Sequence, residues 1–415
     1  MSQDVTLKAV RDWDANDGLR QFRERFTIPE NMIYLDGNSL GPAPKSALAA
    51  LEHAAHAEWG QDLIRSWNSA GWFELPLKLG DQVGALVGAD KGQIAVCDST
   101  SINIFKALSA AASLRPDRKV IVAEGASFPT DLYIAEGFVA SQPQLSLKLQ
   151  GVDGDTIEEL LSPDVGVVLL NHVNYRSGYL HDMKAMTARI QAAGALVVWD
   201  LCHSAGALDV QLDDCNADFA VGCTYKYING GPGAPAFIYV AQRHQAQARQ
   251  PLSGWWGHAR PFAFEQQYEA APAIARFLCG TQPILSMQSL NGALEAWQGV
   301  NMADLRSKSL ALTDLFINLV EERCKNFGLQ LITPRKHEER GSQVGFTHPH
   351  AYEVMQALIA DGVVGDFRAP DVLRFGFTPL YISFEDVWNA VEVLRDVLST
   401  ERWKEPRFAS KNAVT

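Results

Sequence analysis

The sequence has little that would mark a membrane or secreted protein. It contains no run of about 18 uninterrupted apolar residues, the length that a transmembrane helix needs. The first 26 residues are charged throughout and lack the apolar core of a secretory signal. The six cysteines are scattered and form no Cys-x-x-Cys pair. We therefore expect reduced thiols in a cytoplasmic protein.

An excess of positive charge and the common nucleotide and metal motifs are also missing. The 415 residues carry a net charge of −12. Such a surface repels phosphate backbones and anionic lipid, so we expect neither nucleic acid nor a membrane as a partner. No Walker A sequence, no Gly-x-Gly-x-x-Gly after a strand and no His-Glu-x-x-His is present, and we expect no bound metal. Any anionic ligand must be held by a local site.

The composition is that of a globular protein, with 47% hydrophobic and 20% charged residues. Between about residues 91 and 240, short apolar runs alternate with helical patterns, which predicts βα units and a parallel sheet. The runs at 165–170 and 197–199 are apolar on both faces, which is typical of strands that helices cover on both sides. The predicted strands are 93–97, 119–124, 165–171, 195–200, 217–223 and 236–240.

The last hundred residues show a different pattern, which predicts a second, smaller α+β domain. Its predicted helices are 305–324, 352–361 and 384–398, and its predicted strands are 329–333, 342–347 and 372–377. Ser383 and Asp386 form a capping-box pattern at the start of the last helix. We expect an N-terminal segment (1–60) that packs on the small domain, a large domain (61–300) with a mostly parallel sheet, and the small domain (301–415).

Residues suited to amine chemistry follow two of the predicted strands. Asp200 ends the strand 195–200, at the sheet edge where open α/β sheets bind ligands, and His203 follows three residues later. Lys226 stands between Tyr225 and Tyr227, ahead of a Gly-Gly-Pro-Gly turn. An apolar, aromatic setting disfavours the ammonium form of a lysine, and a Schiff base needs the free amine. Asp200 has no cationic residue near it in the sequence, and a protonated pyridine nitrogen would supply the positive charge.

Hydroxyl groups at a predicted helix start complete the pattern. Thr100 and Ser101 precede the helix at about 102–112, and hydroxyls with free N–H groups at a helix N-terminus bind phosphate well. Taken singly, each of these residues has an ordinary structural explanation, such as a helix cap, a strand-end cap or a surface lysine. Their joint order predicts a pyridoxal-phosphate site in which Lys226 is the Schiff-base lysine.

These residues resemble those of the fold-type-I pyridoxal-phosphate enzymes, and more narrowly the bacterial kynureninase family. The most specific stretches are Ser-Trp-Asn-Ser-Ala-Gly-Trp at 66–72 and Ser-Gly-Trp-Trp-Gly-His at 253–258. The glycine turn after the lysine is shared by many relatives and is less specific. The resemblance extends through 34–41, 63–72, 100–106, 128–131, 172–175, 224–231, 251–258, 280–283 and 373–379.

The resemblance implies an aspartate-aminotransferase-like fold and an enzyme that splits L-kynurenine with water into anthranilate and L-alanine. It implies a homodimer in which residues of the partner subunit help to close the site. Catalytic roles would fall to Lys226, Asp200 and Tyr225, and Arg374 would bind the substrate carboxylate with its planar fork. The residues implied to contact the cofactor are Thr100, Ser101, Phe128, Pro129, Thr130, Asp131, Asn171, Asp200, His203, Tyr225, Lys226, Trp255 and Thr281.

Two matters stay open on the sequence alone. The sequence does not decide between L-kynurenine and its 3-hydroxy form as the substrate, nor between tryptophan degradation and the supply of NAD precursors as the route. The nearest alternative is another lyase of the same fold, such as a cysteine desulfurase or selenocysteine lyase. Those desulfurases carry a reactive cysteine on a mobile polar loop and a histidine before the lysine, whereas Tyr225 precedes Lys226 here. A pyridoxal-phosphate-binding regulator would need an added DNA-binding module, which the sequence lacks.

Overall fold

The described part of the chain forms one large sheet and two small ones. The structure, a computed structural model, describes residues 5–151 and 155–410. Its strands are β1 (Ile33–Tyr34), β2 (Ile94–Val96), β3 (Val120–Glu124), β4 (Ser146–Gln150), β5 (Val165–Asn171), β6 (Leu196–Asp200), β7 (Phe219–Gly222), β8 (Phe237–Val240), β9 (Gln330–Leu331), β10 (Gln343–Thr347), β11 (Val363–Val364), β12 (Asp366–Arg368) and β13 (Val372–Gly376).

Helices cover the sheets. The α-helices are α1 (Leu7–Ala15), α2 (Lys45–His53), α3 (Ser66–Ser69), α4 (Leu75–Val87), α5 (Thr100–Ser113), α6 (Pro129–Ala140), α7 (Ile157–Leu160), α8 (Met183–Ala192), α9 (Gln242–Gln245), α10 (Ile284–Glu295), α11 (Met302–Arg323), α12 (Ala351–Ala360) and α13 (Phe384–Ser399). A π-helix, Ala54–Asp62, continues α2. Among the helices of the described chain, none combines the length and the apolar character that a membrane crossing requires.

The large sheet has seven strands in the order β2-β8-β7-β6-β5-β3-β4. All neighbours pair in parallel except those of β8, which runs antiparallel to both β2 and β7. The prediction of a mostly parallel sheet is therefore confirmed. Every residue of β5 and β6 is buried, because apolar clusters lie on both faces of the sheet. Strand β4 was not predicted from the sequence. This strand lies at the edge of the sheet, is partly exposed and contains polar residues, so its sequence has no continuous apolar run.

The second sheet is antiparallel, in the order β12-β13-β10-β9, and lies among the helices of the last hundred residues. Helix α13 begins with the capping box predicted from its sequence: the Ser383 hydroxyl accepts from the N–H of Asp386, and the Asp386 carboxylate accepts from the N–H of Ser383. The side chain of Arg23 binds the same carboxylate and ties the N-terminal segment to this helix.

The N-terminal segment divides its packing between two regions. Residues Val10, Phe22 and Leu35 belong to the apolar cluster of the second sheet and its helices. Helix α2, in contrast, packs on α10, where a Cβ at Gly292 would lie 2.4 Å from the carbonyl oxygen of Ser46. We propose domain boundaries near residues 60 and 300, because the apolar cluster that includes α11 and α13 excludes the strands of the large sheet.

Candidate active site at the carboxyl edge of the large sheet

Two buried carboxyl groups meet at the ends of the central strands. Asn171 and Asp200 are register partners at the ends of β5 and β6, so their side chains lie next to each other. The Asn171 amide donates to Asp200 Oδ2 at 3.0 Å and to Asp131 Oδ2 at 2.8 Å. Asp131 comes from the first turn of α6, and the N–H of Cys202 donates to Asp200 Oδ1 at 2.8 Å. The carboxyl edge of the sheet thus holds an acidic pair.

This acidic pair lacks an ion-pair partner within the residues that the structure describes. Asp131 is 2% exposed and Asp200 is 6% exposed. Burial and the neighbouring charge of Asp200 raise the pKa of Asp131 well above its usual value. The raised pKa means that Asp131 keeps its proton to a higher pH than an ordinary aspartate does, as expected for a desolvated carboxyl beside a second one. A cation placed beside Asp200 would relieve this repulsion.

Lys226 lies on the loop that follows β7, and the backbone around it is tightly constrained. The N–H of Gly41 donates to the Tyr225 carbonyl at 2.9 Å, and a Cβ at Gly41 would lie 2.3 Å from the Lys226 carbonyl oxygen. Only glycine permits this approach. The loop then turns through Asn229, with φ +63°, whose N–H donates to the Lys226 carbonyl at 3.0 Å. These contacts fix the position of the backbone at Lys226.

The Lys226 amine points at a histidine. Its Nζ lies 3.0 Å from His203 Nε2, and the other ring nitrogen of His203 lies 2.9 Å from Gln343 Oε1. The positive charge of Lys226 also acts on the pKa of Asp131, which places the amine within electrostatic range of the acidic pair. Burial, reinforced by the charge of Lys226, lowers the pKa of His203 well below its usual value, so the imidazole is neutral.

The start of α5 lies beside the loop that follows β6. Ser99 caps this helix, with its hydroxyl accepting from the N–H of Ile102 at 3.4 Å, and Thr100 and Ser101 form the first turn. Thr100 Oγ1 lies 3.5 Å from Cys202 Sγ, two residues after Asp200. Free N–H groups and hydroxyls of such a first turn can receive a phosphate.

Tyr225 and the start of α6 contribute further polar and aromatic side chains to the candidate site. Burial, together with Cys223 and Cys202, raises the pKa of the Tyr225 phenol above its usual range, so the phenol keeps its proton. Phe128 caps α6, its N–H donates to Asn171 Oδ1 at 3.1 Å, and its ring packs edge-on against Tyr175. The following residues Pro129 and Thr130 belong to the first turn of α6 and lie half-buried.

Arg374 is buried on β13 and already holds a carboxylate. Its Nε donates to Asp366 Oδ1 at 2.8 Å and its Nη2 donates to Asp366 Oδ2, across the register pair of β12 and β13. Its Nη2 also donates to Ser39 Oγ at 3.0 Å, and Nη1 donates to the Tyr175 carbonyl. Burial would raise the pKa of Asp366, but Arg374 and then Arg368 hold it below the usual value. The fork predicted to bind substrate is therefore largely occupied within the chain.

Trp255 and Thr281 lie apart from the lysine loop in the chain that the structure describes. Trp255 belongs to an aromatic group with Trp67, Trp256 and Phe262. Thr281 is exposed, although the next residue, Gln282, accepts from the N–H of Asp98 at 3.0 Å, one residue before the cap of α5. The other predicted residues lie at the ends of β5 and β6, in the loops that follow β6 and β7 and at the starts of α5 and α6, with Arg374 on the second sheet.

Sequence reasoning missed Gln343, Asp366 and Ser39. Asp366 was detectable, because a buried arginine in an apolar strand such as 372–376 requires an opposite charge, and a short strand ahead of it was the place to look. Gln343 gave no local signal, since its partner His203 is 140 positions away.

The residues present fit pyridoxal phosphate. The buried acidic pair of Asp131 and Asp200 would be stabilised by a cationic pyridine nitrogen. Lys226 provides an amine beside a neutral histidine, and the first turn of α5 provides hydrogen-bond donors for a phosphate. These three features come from different elements, namely the ends of β5 and β6, the loop after β7 and the start of α5.

Comparison with known proteins supports the same assignment. A kynureninase from Burkholderia pseudomallei strain 1106a is 54% identical over 407 residues, which cover 97% of this chain and 98% of the relative. A kynureninase from Pseudomonas fluorescens is 52% identical over 407 residues, with the same shares covered. The family model described as the kynureninase C-terminal domain matches residues 305–394.

Solved structures confirm the fold that the sequence resemblance implied. A cysteine desulfurase from Thermococcus onnurineus superposes with a TM-score of 0.76 at 18% identity, covering 96% of this chain and all of that chain. A cysteine desulfurase from Escherichia coli also reaches 0.76 at 18% identity, covering 92% of this chain and 99% of that chain. At such low identity these neighbours show the fold alone, which is that of the fold-type-I pyridoxal-phosphate enzymes.

The raised pKa of Asp131 predicts a pH dependence of stability. The folded-state pKa of Asp131 lies above the ordinary value of 3.8, so the folded chain binds a proton that the unfolded chain releases. Stability of the cofactor-free protein is therefore greatest below that value and falls as pH rises towards the folded-state pKa, by up to about 1.4 kcal/mol per pH unit. Asp131→Asn should flatten this slope in urea unfolding, whereas Asp117→Asn, at an exposed position, should leave it unchanged. Equal slopes in both variants would contradict the raised pKa of Asp131.

The buried pair of Arg374 and Asp366 predicts a large stability effect. Arg374→Ala leaves the Asp366 carboxylate desolvated, and we expect a loss of about 3 kcal/mol in the free energy of unfolding. Arg176→Ala is the matched control, because Arg176 pairs with Asp371 at 2.7 Å with both side chains about 40% exposed, and a loss below about 1 kcal/mol is expected. Urea denaturation of both variants measures the difference. Similar losses would show that Arg374 is free for another partner.

Proposed function

The chain belongs to the kynureninase family, and we propose that it uses pyridoxal phosphate to hydrolyse L-kynurenine to anthranilate and L-alanine, within tryptophan catabolism. The single observation that carries this function is the 54% identity to a named kynureninase over 97% of the chain. The geometry around Lys226 supports it, because that lysine, the acidic pair and the capped start of α5 meet at one edge of the sheet.

The cofactor, when bound, supplies an aldehyde for amines and a cationic ring that withdraws electrons from the amino-acid carbons. We assign Lys226 as the residue that carries it covalently and that moves a proton at the substrate Cα. Asp200, held by Asn171 and by the Cys202 N–H, would pair with the ring nitrogen. Thr100 and Ser101 would receive the phosphate at the start of α5.

Tyr225 is our candidate for proton transfer to and from the substrate ketone. Kynurenine must add water at its ketone carbon before the bond to Cβ breaks, and both steps need an acid or a base. Tyr225 suits the role of acid because its phenol remains protonated and it is next to Lys226 in the chain. Phe128, Pro129, Thr130 and Asp131 would form the wall beside the cofactor ring, with His203 on the side of the lysine amine.

The substrate carboxylate would meet the group of Arg374, Ser39 and Arg368. Arg374 donates two N–H groups to Asp366 and one to the Tyr175 carbonyl. Ser39 Oγ lies within 3.1 Å of both guanidinium groups, and Arg368 is the more exposed of the two arginines. We assign Arg374 as the positively charged anchor of this site, with its planar orientation fixed by Asp366.

The desulfurase alternative is not favoured. Four of the six cysteines, Cys97, Cys202, Cys223 and Cys324, are buried, which does not suit a thiol that must reach a substrate. The neighbours named as desulfurases are 18% identical, whereas the kynureninases are 52–54% identical. We also propose a cytoplasmic location, because all six cysteines are free thiols.

Replacement of Lys226 tests the proposed function. Lys226→Ala should remove an amine at the surface of the site without opening the core, so we expect a native circular-dichroism spectrum and a loss of anthranilate release on the order of a thousandfold. Anthranilate fluorescence is measured with L-kynurenine and with its 3-hydroxy form side by side. Lys184→Ala, at an exposed helix position, is the control and should keep full activity. Retained turnover in Lys226→Ala would refute the assignment of this lysine.

We further propose a homodimer in which Trp255 and Thr281 face the partner's site. Large apolar side chains are exposed near Trp255, including Phe262 at 65% and Phe264 at 86%, more than a monomer normally leaves in one place. Sedimentation should give twice the chain mass of 45.5 kDa. Phe262→Glu should shift the distribution towards the monomer, whereas Gln330→Glu on an exposed strand position should not. A wild-type protein that sediments as a monomer would refute the dimer.

A further inference from the structure

A hydrogen-bonded chain runs from the Lys226 amine to the second sheet. Lys226 Nζ lies 3.0 Å from His203 Nε2, and His203 Nδ1 lies 2.9 Å from Gln343 Oε1. Gln343 Nε2 in turn donates to the carbonyl oxygens of Asn174 at 3.1 Å and Tyr175 at 2.8 Å. Gln343 is the first residue of β10 and is fully buried. This series of hydrogen bonds therefore links the lysine loop, which follows β7 of the large sheet, to β10 of the second sheet.

The two carbonyl groups fix which way the Gln343 amide points. A carbonyl oxygen only accepts, so the NH₂ group of Gln343 must face Asn174 and Tyr175, and Oε1 must face His203. Because Oε1 only accepts, the proton of the neutral imidazole must be on Nδ1. The lone pair of Nε2 is then directed at Lys226. An amide flip would break both bonds to the carbonyls and turn Oε1, which only accepts, towards two acceptor oxygens.

The charges around His203 favour the neutral ring that this assignment requires. The ring is 6% exposed, and the positive groups that face it are Lys226, Arg374 and Arg368. Asp366 and Asp36, the nearby acids, face the two arginines, and Asp366 pairs with them directly. Burial therefore acts on His203 in the same direction as the three cations. With the ring uncharged, only the choice of tautomer remains, and Gln343 is the group that contacts Nδ1.

We propose that Gln343 is a positioning residue that holds His203 as its Nδ1–H tautomer, so that Nε2 accepts a hydrogen bond from Lys226 whenever the amine carries a proton. The inference rests on the proposed role of Lys226 at the substrate Cα. A lysine that has taken a proton from Cα needs an acceptor to keep the ammonium group aimed at that carbon, and a neutral Nε2 supplies it without adding a charge. The opposite tautomer would present a donor to a donor.

Two substitutions of Gln343 test this, each with a matched control. Gln343→Met removes the acceptor for Nδ1–H, and Gln343→Glu keeps an acceptor but adds a negative charge that favours the imidazolium. Both also lose the bonds to two carbonyl groups. Gln245 is a buried glutamine whose Nε2 caps the carbonyls of Gly92 and Val240, both at 2.9 Å, away from His203. Gln245→Met and Gln245→Glu therefore reproduce the general cost of losing two such bonds.

The readouts are the pH profile of kcat and the histidine tautomer in ¹⁵N-histidine-labelled holoenzyme by NMR, with the His203 signal assigned from its loss in His203→Asn. We expect Nδ1–H in the wild type, a lower kcat by about tenfold in Gln343→Met, and an acid limb that moves up by about one pH unit or more in Gln343→Glu. The Gln245 variants should keep the wild-type profile and tautomer.

Two results would overturn the inference. One is a wild-type His203 that carries its proton on Nε2, and the other is a pair of Gln343 variants with the same tautomer and the same pH profile as the Gln245 variants. The NMR result does not depend on turnover of kynurenine. A correct tautomer in an enzyme without kynurenine hydrolysis would therefore overturn the proposed function while leaving the geometric assignment of His203 in place.

Discussion

The arrangement of the site depends on a desolvated acidic pair placed opposite an amine. Asp200 and Asp131 are almost completely buried and are joined through Asn171, and burial together with the charge of Asp200 raises the pKa of Asp131. Such a pair is costly unless a cation or a shared proton relieves it. The ring nitrogen of pyridoxal phosphate would provide that relief beside Asp200, and Lys226 would hold the cofactor through its aldehyde carbon. The same electrostatics therefore explains both the cofactor and the position of the lysine.

The fold supplies this arrangement through two sheets. Parallel strands β5 and β6 end side by side, so that Asn171 and Asp200 are register partners, and β7 leads directly into the lysine loop. The second sheet adds Gln343 from β10 and Arg374 from β13, which are neighbouring antiparallel strands. The site is thus assembled from elements that lie far apart in the chain, and its precision rests on the contact between the two sheets.

Much of this was predictable from local sequence patterns. Five of the six strands that the structure describes between residues 93 and 223, and the strand at 236–240, were predicted from apolar runs between turn residues, and Asp200, His203 and Lys226 lie at or shortly after the ends of such runs. The edge strand β4 and the partners Asp366 and Gln343 were missed. Gln343 lies 140 positions from His203, so the contact between them depends on how the two sheets pack, and local sequence patterns do not predict it. The buried Arg374 indicates that an acid must lie nearby, but the pairing of β12 with β13 decides that this acid is Asp366.

The central claim is that the amine of Lys226 bonds covalently to the cofactor while Asp200 keeps the heterocycle cationic. Borohydride reduction of the purified protein, followed by proteolysis and mass spectrometry of the peptides, tests it most directly. The peptide that contains Tyr225 and Lys226 should carry a pyridoxyl group on the lysine. Recovery of that peptide without the group, or with the group on another lysine, would contradict the account.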